Sequence, residues 1–354
     1  MVRSTSTPAN WKKPQQIDLF LGNIADAAFK DDRILMEFPF FSIQKQPKMT
    51  PILFQDERVQ IKVEPGAKGI ATVWDKDILI YLATLLNDRL EKGLPVSRTI
   101  QFAAYDCLKS TGRGTGKRSY ELFLDALYRL RSTNITTTIE ANRQTERRGF
   151  GWIETWRVIE REKTNGSRVM GGVEVTINDW MFRAITKERR VLTINERYFS
   201  LKMGLERRLY ELARKHCGKQ REFSIRLTKL ADKCGGTNDL RKFRAALRKV
   251  IARDQVPDYR INLEGDVRRS RGSMPEIVTF YFRNCSSDEQ PTEENLSIDI
   301  HTFEEAQRKY PGYDIETIVS AWEHWIIDGN KEHPRQKRPA FLAFCKKYVS
   351  SNPL

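Results

Sequence analysis

The segment Thr228–Arg253 constrains the fold of this chain more than any other part of the sequence. It reads TKLADKCGGTNDLRKFRAALRKVIAR, which predicts a short helix, a glycine turn and a longer helix. In the longer helix, apolar residues recur at helical spacing, at Leu240, Phe243, Leu247, Val250 and Ile251. One face therefore packs on a core, and the basic residues face solvent. A helix-turn-helix with a cationic second helix is typical of proteins that enter the DNA major groove.

Candidate DNA contacts follow from positions along this predicted motif. They are Asn238, Arg241, Lys242, Arg244, Ala245, Arg248, Lys249 and Arg253 around the helix, and Arg268, Arg269 and Arg271 in the basic tip DVRRSRGSMP. The first turns meet base edges, where arginine reads guanine through two hydrogen bonds. Lys249 and Arg253 lie farther along and are predicted to hold phosphates. Asn238 or Asp239 caps the helix. The alternative interpretation is a solvated basic face without a ligand.

Net charge supports a polyanionic partner. The chain has 61 Lys and Arg against 46 Asp and Glu, a formal charge of +15. Residues 201–283 contain 21 basic and 10 acidic residues, whereas residues 284–354 contain 8 basic and 12 acidic ones. Because the positive charge is concentrated around the helix-turn-helix, its distribution favours nucleic acid over general solubility.

The same order of elements is predicted twice along the chain. A helix, a strand, a short helix, a turn, a longer helix and a hairpin are the order of a winged-helix domain. In the first copy, the hairpin is predicted to join NITTTIEA to FGWIETWRVIERE around the polar tip ANRQTERR. The expected fold is α+β, with tandem winged-helix domains and a small C-terminal helical module.

Five segments are expected. Residues 1–16 form a flexible arm, 17–177 the first winged-helix domain, 178–284 the second, 285–300 a linker and 301–354 an acidic helical module. Residues 16–32 are predicted to be an amphipathic helix, followed by an extended segment from residue 36. The second domain carries the main DNA contacts. Lys117 and Arg118 in the first are candidates for a secondary DNA contact, although Glu121 and Asp125 on the same helix would repel phosphate, and dimerisation is the other role expected there.

The sequence offers no clear catalytic or metal-binding pattern. GRGTGKRS resembles a phosphate-binding loop but has Thr111 where the pattern needs glycine, and Arg118 where it needs serine or threonine. The four histidines show no pair of the kind a metal-dependent nicking enzyme needs, and five cysteines at unpaired spacing fit a reducing compartment. We expect a cytoplasmic protein that has no cofactor, no metal and no enzymatic activity.

Several blocks of this sequence resemble one family, the replication initiator protein A (RepA-like) family of bacterial plasmids. They include MEFPFFSI, WDKDILIYLATLL, RTIQFAAYDCLKSTGRGTGKRSYELFLDALYRLR, GFGWIETWRV and LERRLYELARKHCG, in the family's order over residues 17–285. The resemblance implies binding to repeated double-stranded origin sites, opening of adjacent DNA, and recruitment of the host initiator and replicative helicase. It also implies monomers that fire the origin, homodimers that repress their own gene or pair origins, and a location on the nucleoid or plasmid.

The sequence therefore predicts a plasmid replication initiator. The alternative is a winged-helix transcriptional repressor. A third option, an origin-nicking enzyme, is the least favoured of the three. The sequence does not specify the DNA site and its spacing, the host range, the dimer interface or the role of the acidic C-terminal module.

Overall fold

The structure, a computed structural model, mixes helices with antiparallel sheets. It describes residues 27–56, 59–141, 144–162, 168–235, 239–265, 275–283, 298, 300–310, 313–327 and 337–352. The expected α+β class is confirmed at this level.

The described chain opens with four short elements. These are β1 (Lys30–Asp32), α1 (Arg33–Glu37), β2 (Ile52–Gln55) and β3 (Val59–Glu64). The helix predicted over residues 16–32 is wrong at its C-terminal end, because β1 is a strand that pairs with Val191–Thr193. Asp32 ends this strand and caps α1: its carboxylate accepts hydrogen bonds from the backbone N–H groups of Ile34 and Leu35, at 2.7 and 3.2 Å. Residues 27–29 of that predicted helix are not helical either, whereas residues 16–26 and the predicted arm lie outside the described residues.

Eight elements make up the first copy of the repeat. They are α2 (Lys76–Glu91), β4 (Thr99–Phe102), α3 (Ala104–Ser110), α4 (Lys117–Ser132), β5 (Asn134–Ala141), β6 (Gln144–Phe150), β7 (Ile153–Glu162) and β8 (Arg168–Ile177). Gly93 lies just beyond α2 with φ of 67°, a left-handed conformation that ends the helix at low steric cost. Strands β4, β8 and β7 form a three-stranded antiparallel sheet in that order.

The hairpin predicted in the first copy has the wrong strand partners. Strand β5 pairs with β6, which is the segment predicted to be a loop, and β7 pairs with β8. Ile135 and Phe150 face each other across β5 and β6 and pack on the core. Arg147 and Arg148 suggested a loop, but β6 is an outer strand of the sheet β2-β3-β5-β6, and exposed charges are common on edge strands because they discourage further pairing.

The second copy repeats the strand order of the first. After α5 (Asp179–Thr186), β9 (Val191–Thr193) and a 3-10 turn (Glu196–Ser200), the elements are α6 (Gly204–His216), β10 (Glu222–Arg226), α7 (Leu227–Lys233), α8 (Leu240–Arg253), β11 (Tyr259–Glu264) and β12 (Ile277–Phe282). Strands β10, β12 and β11 form an antiparallel sheet in that order. In both copies, the strand before the helix pair is hydrogen-bonded to the last strand of the hairpin, and β5 and β6 are an insertion in the first copy.

Three helices follow residue 298, namely α9 (Ile300–Lys309), α10 (Ile315–Ile327) and α11 (Lys337–Ser351). They surround a separate small apolar cluster that includes Trp322 and Phe341. Ion pairs between described residues join this module to the rest of the chain: Lys229 lies 3.7 Å from Glu304, and Arg33 lies 3.5 Å from Asp314. No helix in the described residues combines the length and the apolar character needed to cross a membrane.

One apolar cluster runs from Phe29 to Phe280 and crosses residue 178 without a break. Phe40 and Phe41, from the FPFF segment, belong to it and contact Trp152 at ring-centroid distances of 5.4 and 4.8 Å. This aromatic segment therefore packs in the core. The division of the chain at residue 178 stays a prediction.

Buried charges connect the two sides of residue 178. The Lys76 ammonium, at the start of α2, lies 2.6 Å from Asp31 Oδ2 and 2.9 Å from Glu211 Oε1, and all three side chains are buried. Beside them, Arg207 Nη1 lies 2.6 Å from Asp77 Oδ1. Buried charges of this kind require partners, because an uncompensated charge away from water is costly. The relative position of α2 and α6 therefore depends on these pairs.

The pKa of Asp31 makes folding depend on pH. Burial raises this pKa to about 7, against the opposing attraction of Lys76, whereas an aspartate in an unfolded chain has a pKa near ~3.9. Between these values the folded chain binds more protons than the unfolded one, so stability should fall as pH rises through this window and level off above it. Urea unfolding at about pH 5 and about pH 8 measures the slope, and Asp31→Asn should reduce it. An identical slope in wild type and variant would contradict this assignment.

Candidate nucleic-acid interface

Helix α8 is fixed to the protein by one apolar face. Phe243, Leu247 and Val250 are buried, and Leu240 and Ile251 pack on the same cluster half-buried. The helix contacts α6, α7 and β11. The apolar frame predicted from the sequence is confirmed, and it turns the opposite face of α8 outward.

The N-terminus of α8 is capped by Asp239. Its carboxylate accepts a hydrogen bond from the backbone N–H of Lys242 at 3.1 Å. This bond, made to the charged form, lowers the pKa of Asp239. The turn before the cap includes Asn238, which lies outside the described residues, so its predicted DNA contact stays a prediction.

The outward face of α8 carries basic side chains in solvent. Arg241, Lys242, Arg248 and Lys249 are exposed, and the small Ala245 lies among them. Lys242 lies 3.4 Å from Asp239 but remains 81% exposed. Within the described part of the chain, the side chains of Arg241, Arg248 and Lys249 form no ion pair or hydrogen bond. Their charges are therefore available to an external anion.

Besides Lys242, Arg244 and Arg253 on α8 also have acidic partners inside the protein. Both Arg244 and Glu276 are largely buried, and Arg244 Nε and Nη2 lie 2.6 and 2.5 Å from the two carboxylate oxygens of Glu276. Arg253 Nε lies 2.7 Å from Glu206 Oε1. Glu206 is fully buried, whereas the Arg253 side chain is about half-exposed and keeps an open side. These acidic partners are distant in sequence, and no sequence pattern indicated them.

The hairpin after α8 has its base in the described residues and its tip outside them. Strands β11 and β12 pair from Tyr259 with Phe282 to Glu264 with Ile277. The predicted contacts Arg268, Arg269 and Arg271 belong to residues 266–274, outside the described ranges. One exposed cation that the sequence analysis missed is Arg226, directly before α7. Its position at the start of the first helix of the pair was the available signal.

The corresponding helix of the first copy, α4, carries four basic and two acidic residues. Lys117 and Arg118 are exposed in its first turn, and Arg118 lies 3.1 Å from Glu121. Lys68 neutralises Asp125 at a distance of 2.5 Å. The acidic residues expected to repel phosphate are therefore paired, but α4 offers fewer unpartnered cations than α8.

The remaining sequence candidates have structural roles. In the GRGTG segment, Arg113 lies 2.7 Å from Asp77, so this loop is held against α2. His216 stacks on Phe223 at 5.0 Å, and the Cys217 thiol donates to the Gln220 carbonyl at 3.2 Å. No cluster of three or more His, Cys, Asp or Glu side chains suited to a metal ion occurs in the described residues.

Comparison with known proteins identifies the family. The family described as replication initiator protein A matches residues 30–261. This chain belongs to the replication initiator protein A family. A curated family relative from Wigglesworthia glossinidia brevipalpis, named "Putative replication protein", is 36% identical over 264 residues, which are 72% of this chain and 94% of that protein. The resemblance seen in the sequence is thereby confirmed.

A solved structure shows a related fold. The crystal structure of domains 2 and 3 of RctB, as selenomethionine derivatives, matches 71% of this replication initiator A chain and 98% of its own, with a TM-score of 0.52. The sequence identity is 13%, so the match shows a likeness of fold alone. Membership of this family supports a role in the initiation of replication.

Proposed function

We propose that this protein initiates plasmid replication by binding specific double-stranded sites at its origin. The observation that carries the proposal is the outward face of α8, where Arg241, Arg248 and Lys249 have no ionic partner within the described residues. Membership of the replication initiator protein A family supplies the biological setting.

Both copies of the repeat are proposed to be winged-helix units. Support comes from their common element order and from the shared strand order, in which the first strand pairs with the last. In such a unit, the second helix of the pair enters the major groove and the hairpin lies beside it. Helix α8 and the hairpin built on β11 and β12 take these roles in the second copy.

The two ends of α8 are assigned different tasks. Arg241, in the first turn, reads a base edge, because two N–H groups of arginine match the O6 and N7 acceptors of guanine. Arg248 and Lys249 lie about two turns farther along and neutralise phosphates, which fixes the register of the helix on the duplex. Lys117 and Arg118 of α4 provide a weaker second contact, and the tip arginines Arg268, Arg269 and Arg271 add backbone contacts.

Later steps of initiation follow from the family. Wrapping or bending of the duplex opens an adjacent region of the origin. The bound protein then recruits the host initiator and the replicative helicase, and homodimers repress its gene. The protein itself performs no covalent step. Incubation with supercoiled origin plasmid and Mg²⁺ tests this point: unchanged supercoils are expected, and reproducible nicks would establish an enzyme.

Arg241→Ala should reduce sequence discrimination more than overall affinity. The expected loss is about 1–3 kcal/mol of specific binding, because one bidentate base contact disappears while the phosphate contacts remain. Fluorescence anisotropy with DNA flanking the gene, and with the same DNA scrambled, measures both affinities. Equal losses on the two DNAs would place Arg241 on a phosphate instead.

Footprinting of the DNA that flanks the gene tests the proposed function as a whole. Protected sites repeated beside an AT-rich stretch are expected for an initiator. A single protected site over the promoter, with no support of plasmid replication, would favour the alternative of a transcriptional repressor. No protection at any site would overturn DNA binding.

A further inference from the structure

Arg244 differs from Arg241, Arg248 and Lys249 of α8 in what its side chain contacts. Its guanidinium meets Glu276 through two parallel bonds of 2.6 and 2.5 Å, and the two side chains are 14% and 11% exposed. This geometry is the strong bidentate form of a charged hydrogen bond. The positive charge of Arg244 is therefore matched within the protein, unlike that of Arg248 one turn away.

Glu276 contacts three parts of the proposed winged-helix unit, namely α8, α7 and Gly265 at the end of β11. Its side chain holds α8, and its carbonyl oxygen accepts a hydrogen bond from the backbone N–H of Leu227, the first residue of α7, at 2.9 Å. Across the hairpin, Gly265 packs on it so closely that a Cβ at Gly265 would lie 2.8 Å from Glu276 Cα. Gly265 also has φ of 117°, a conformation that favours glycine.

We infer that Arg244 and Glu276 form a clamp that fixes the hairpin formed by β11 and β12 relative to α8. Arg244 is then a positioning residue rather than a DNA contact. The inference rests on the proposed function and deepens it. A helix and a hairpin that contact one duplex must keep a fixed spacing, because a misplaced contact loses its partner on the DNA. The clamp sets that spacing before DNA arrives.

A direct phosphate contact by Arg244 would have a clear disadvantage. Moving the guanidinium to a phosphate would leave the Glu276 carboxylate largely buried and without its cation, and such an uncompensated charge is costly. The acid would also lie near the DNA backbone. Arg248 has no acidic partner in the described residues, so it is the comparison residue for a direct phosphate contact.

The variants separate positioning from contact. Glu276→Ala removes an acidic group, so it should tighten DNA binding if charge alone mattered. The clamp predicts the opposite, a loss of about tenfold in specific affinity. Arg244→Lys should also weaken binding although the charge is kept, because lysine does not reproduce the two-point bond. The exchanged pair Arg244→Glu with Glu276→Arg should recover part of the loss.

The dependence of binding on salt provides the control. Arg248→Ala should make the slope of log affinity against log salt shallower by about one, since one phosphate contact is lost. Arg244→Lys and the exchanged pair should keep the wild-type slope. Tighter binding by Glu276→Ala, or an exchanged pair as weak as Arg244→Glu alone, would overturn the clamp.

A measurement without DNA separates failure of the clamp from failure of the proposed function. Hydrogen exchange of peptides covering β11 and β12 should be faster in Glu276→Ala than in wild type, at unchanged protection of α2. Unchanged exchange in β11 and β12 would overturn the clamp even if DNA binding holds. If wild-type protein binds no DNA, the proposed function fails, and faster exchange would still establish the clamp as a structural bond.

Discussion

Replacing Lys76 with methionine should lower the free energy of unfolding by about 3–5 kcal/mol, the usual cost of removing one partner from a buried ionic cluster. The ammonium lies within 2.9 Å of carboxylate oxygens of both Asp31 and Glu211. Each of the three side chains is at most 3% exposed to solvent. Without Lys76, two carboxylates would face each other in a buried site with one cation fewer.

A matched control for this prediction lies at the C-terminal end of the same helix. Lys92 forms an ion pair with Asp88 at 2.7 Å, but its side chain is 58% exposed. Lys92→Met should therefore change stability by less than about 1 kcal/mol, because exposed pairs are screened by water and salt. Urea unfolding of both variants beside wild type measures the difference. Similar small effects at the two positions would show that the Lys76 cluster does not hold α2 and α6 together.

Replacing Arg241, Arg248 and Lys249 together with alanine should abolish specific DNA binding, with a loss of roughly 100-fold or more at moderate salt. These three side chains are exposed and lack ionic partners in the described residues, so their removal leaves the apolar frame of α8 intact. The variant should therefore fold normally and fail only in binding. Circular dichroism and anisotropy with flanking DNA measure the two properties.

A second triple variant controls for the change in net charge. Lys92, Lys346 and Lys347 are exposed, and none of them belongs to α8: Lys92 directly follows α2, and the other two lie on α11. Their replacement by alanine removes the same number of positive charges. If the protein binds DNA through a diffuse positive surface, both triple variants should lose affinity equally, and that result would contradict the assignment to α8.

Local sequence patterns predicted the helices well. The apolar spacing of α8 and the glycine turn between α7 and α8 are properties of neighbouring residues, so the sequence contains the whole signal. The hairpin of the second copy was found for the same reason. In the first copy, the partners of β5 and β7 depend on the inserted strand β6, whose charged composition resembles a loop.

The sequence alone did not indicate which charged residues pair when they are far apart along the chain. Glu276 lies 32 residues from Arg244, and Glu211 lies 135 residues from Lys76. A charged residue on a predicted helix is expected to face water, and nothing local distinguishes Lys76 from an exposed lysine. For this reason the sequence did not separate Arg244 and Arg253, which have intramolecular partners, from Arg241, Arg248 and Lys249, which form no ion pair in the described residues. The DNA contacts predicted for all five residues stay predictions.

We propose that this family member starts plasmid replication through DNA contacts made by α8. A transformation assay tests this proposal in the cell. A plasmid whose only replication functions are this gene and its flanking DNA is introduced into a permissive host. Colonies are expected for wild type and for the control variant of Lys92, Lys346 and Lys347, and none for the variant of Arg241, Arg248 and Lys249. Failure of the wild-type plasmid to replicate, or equal replication with the α8 variant, would contradict the claim.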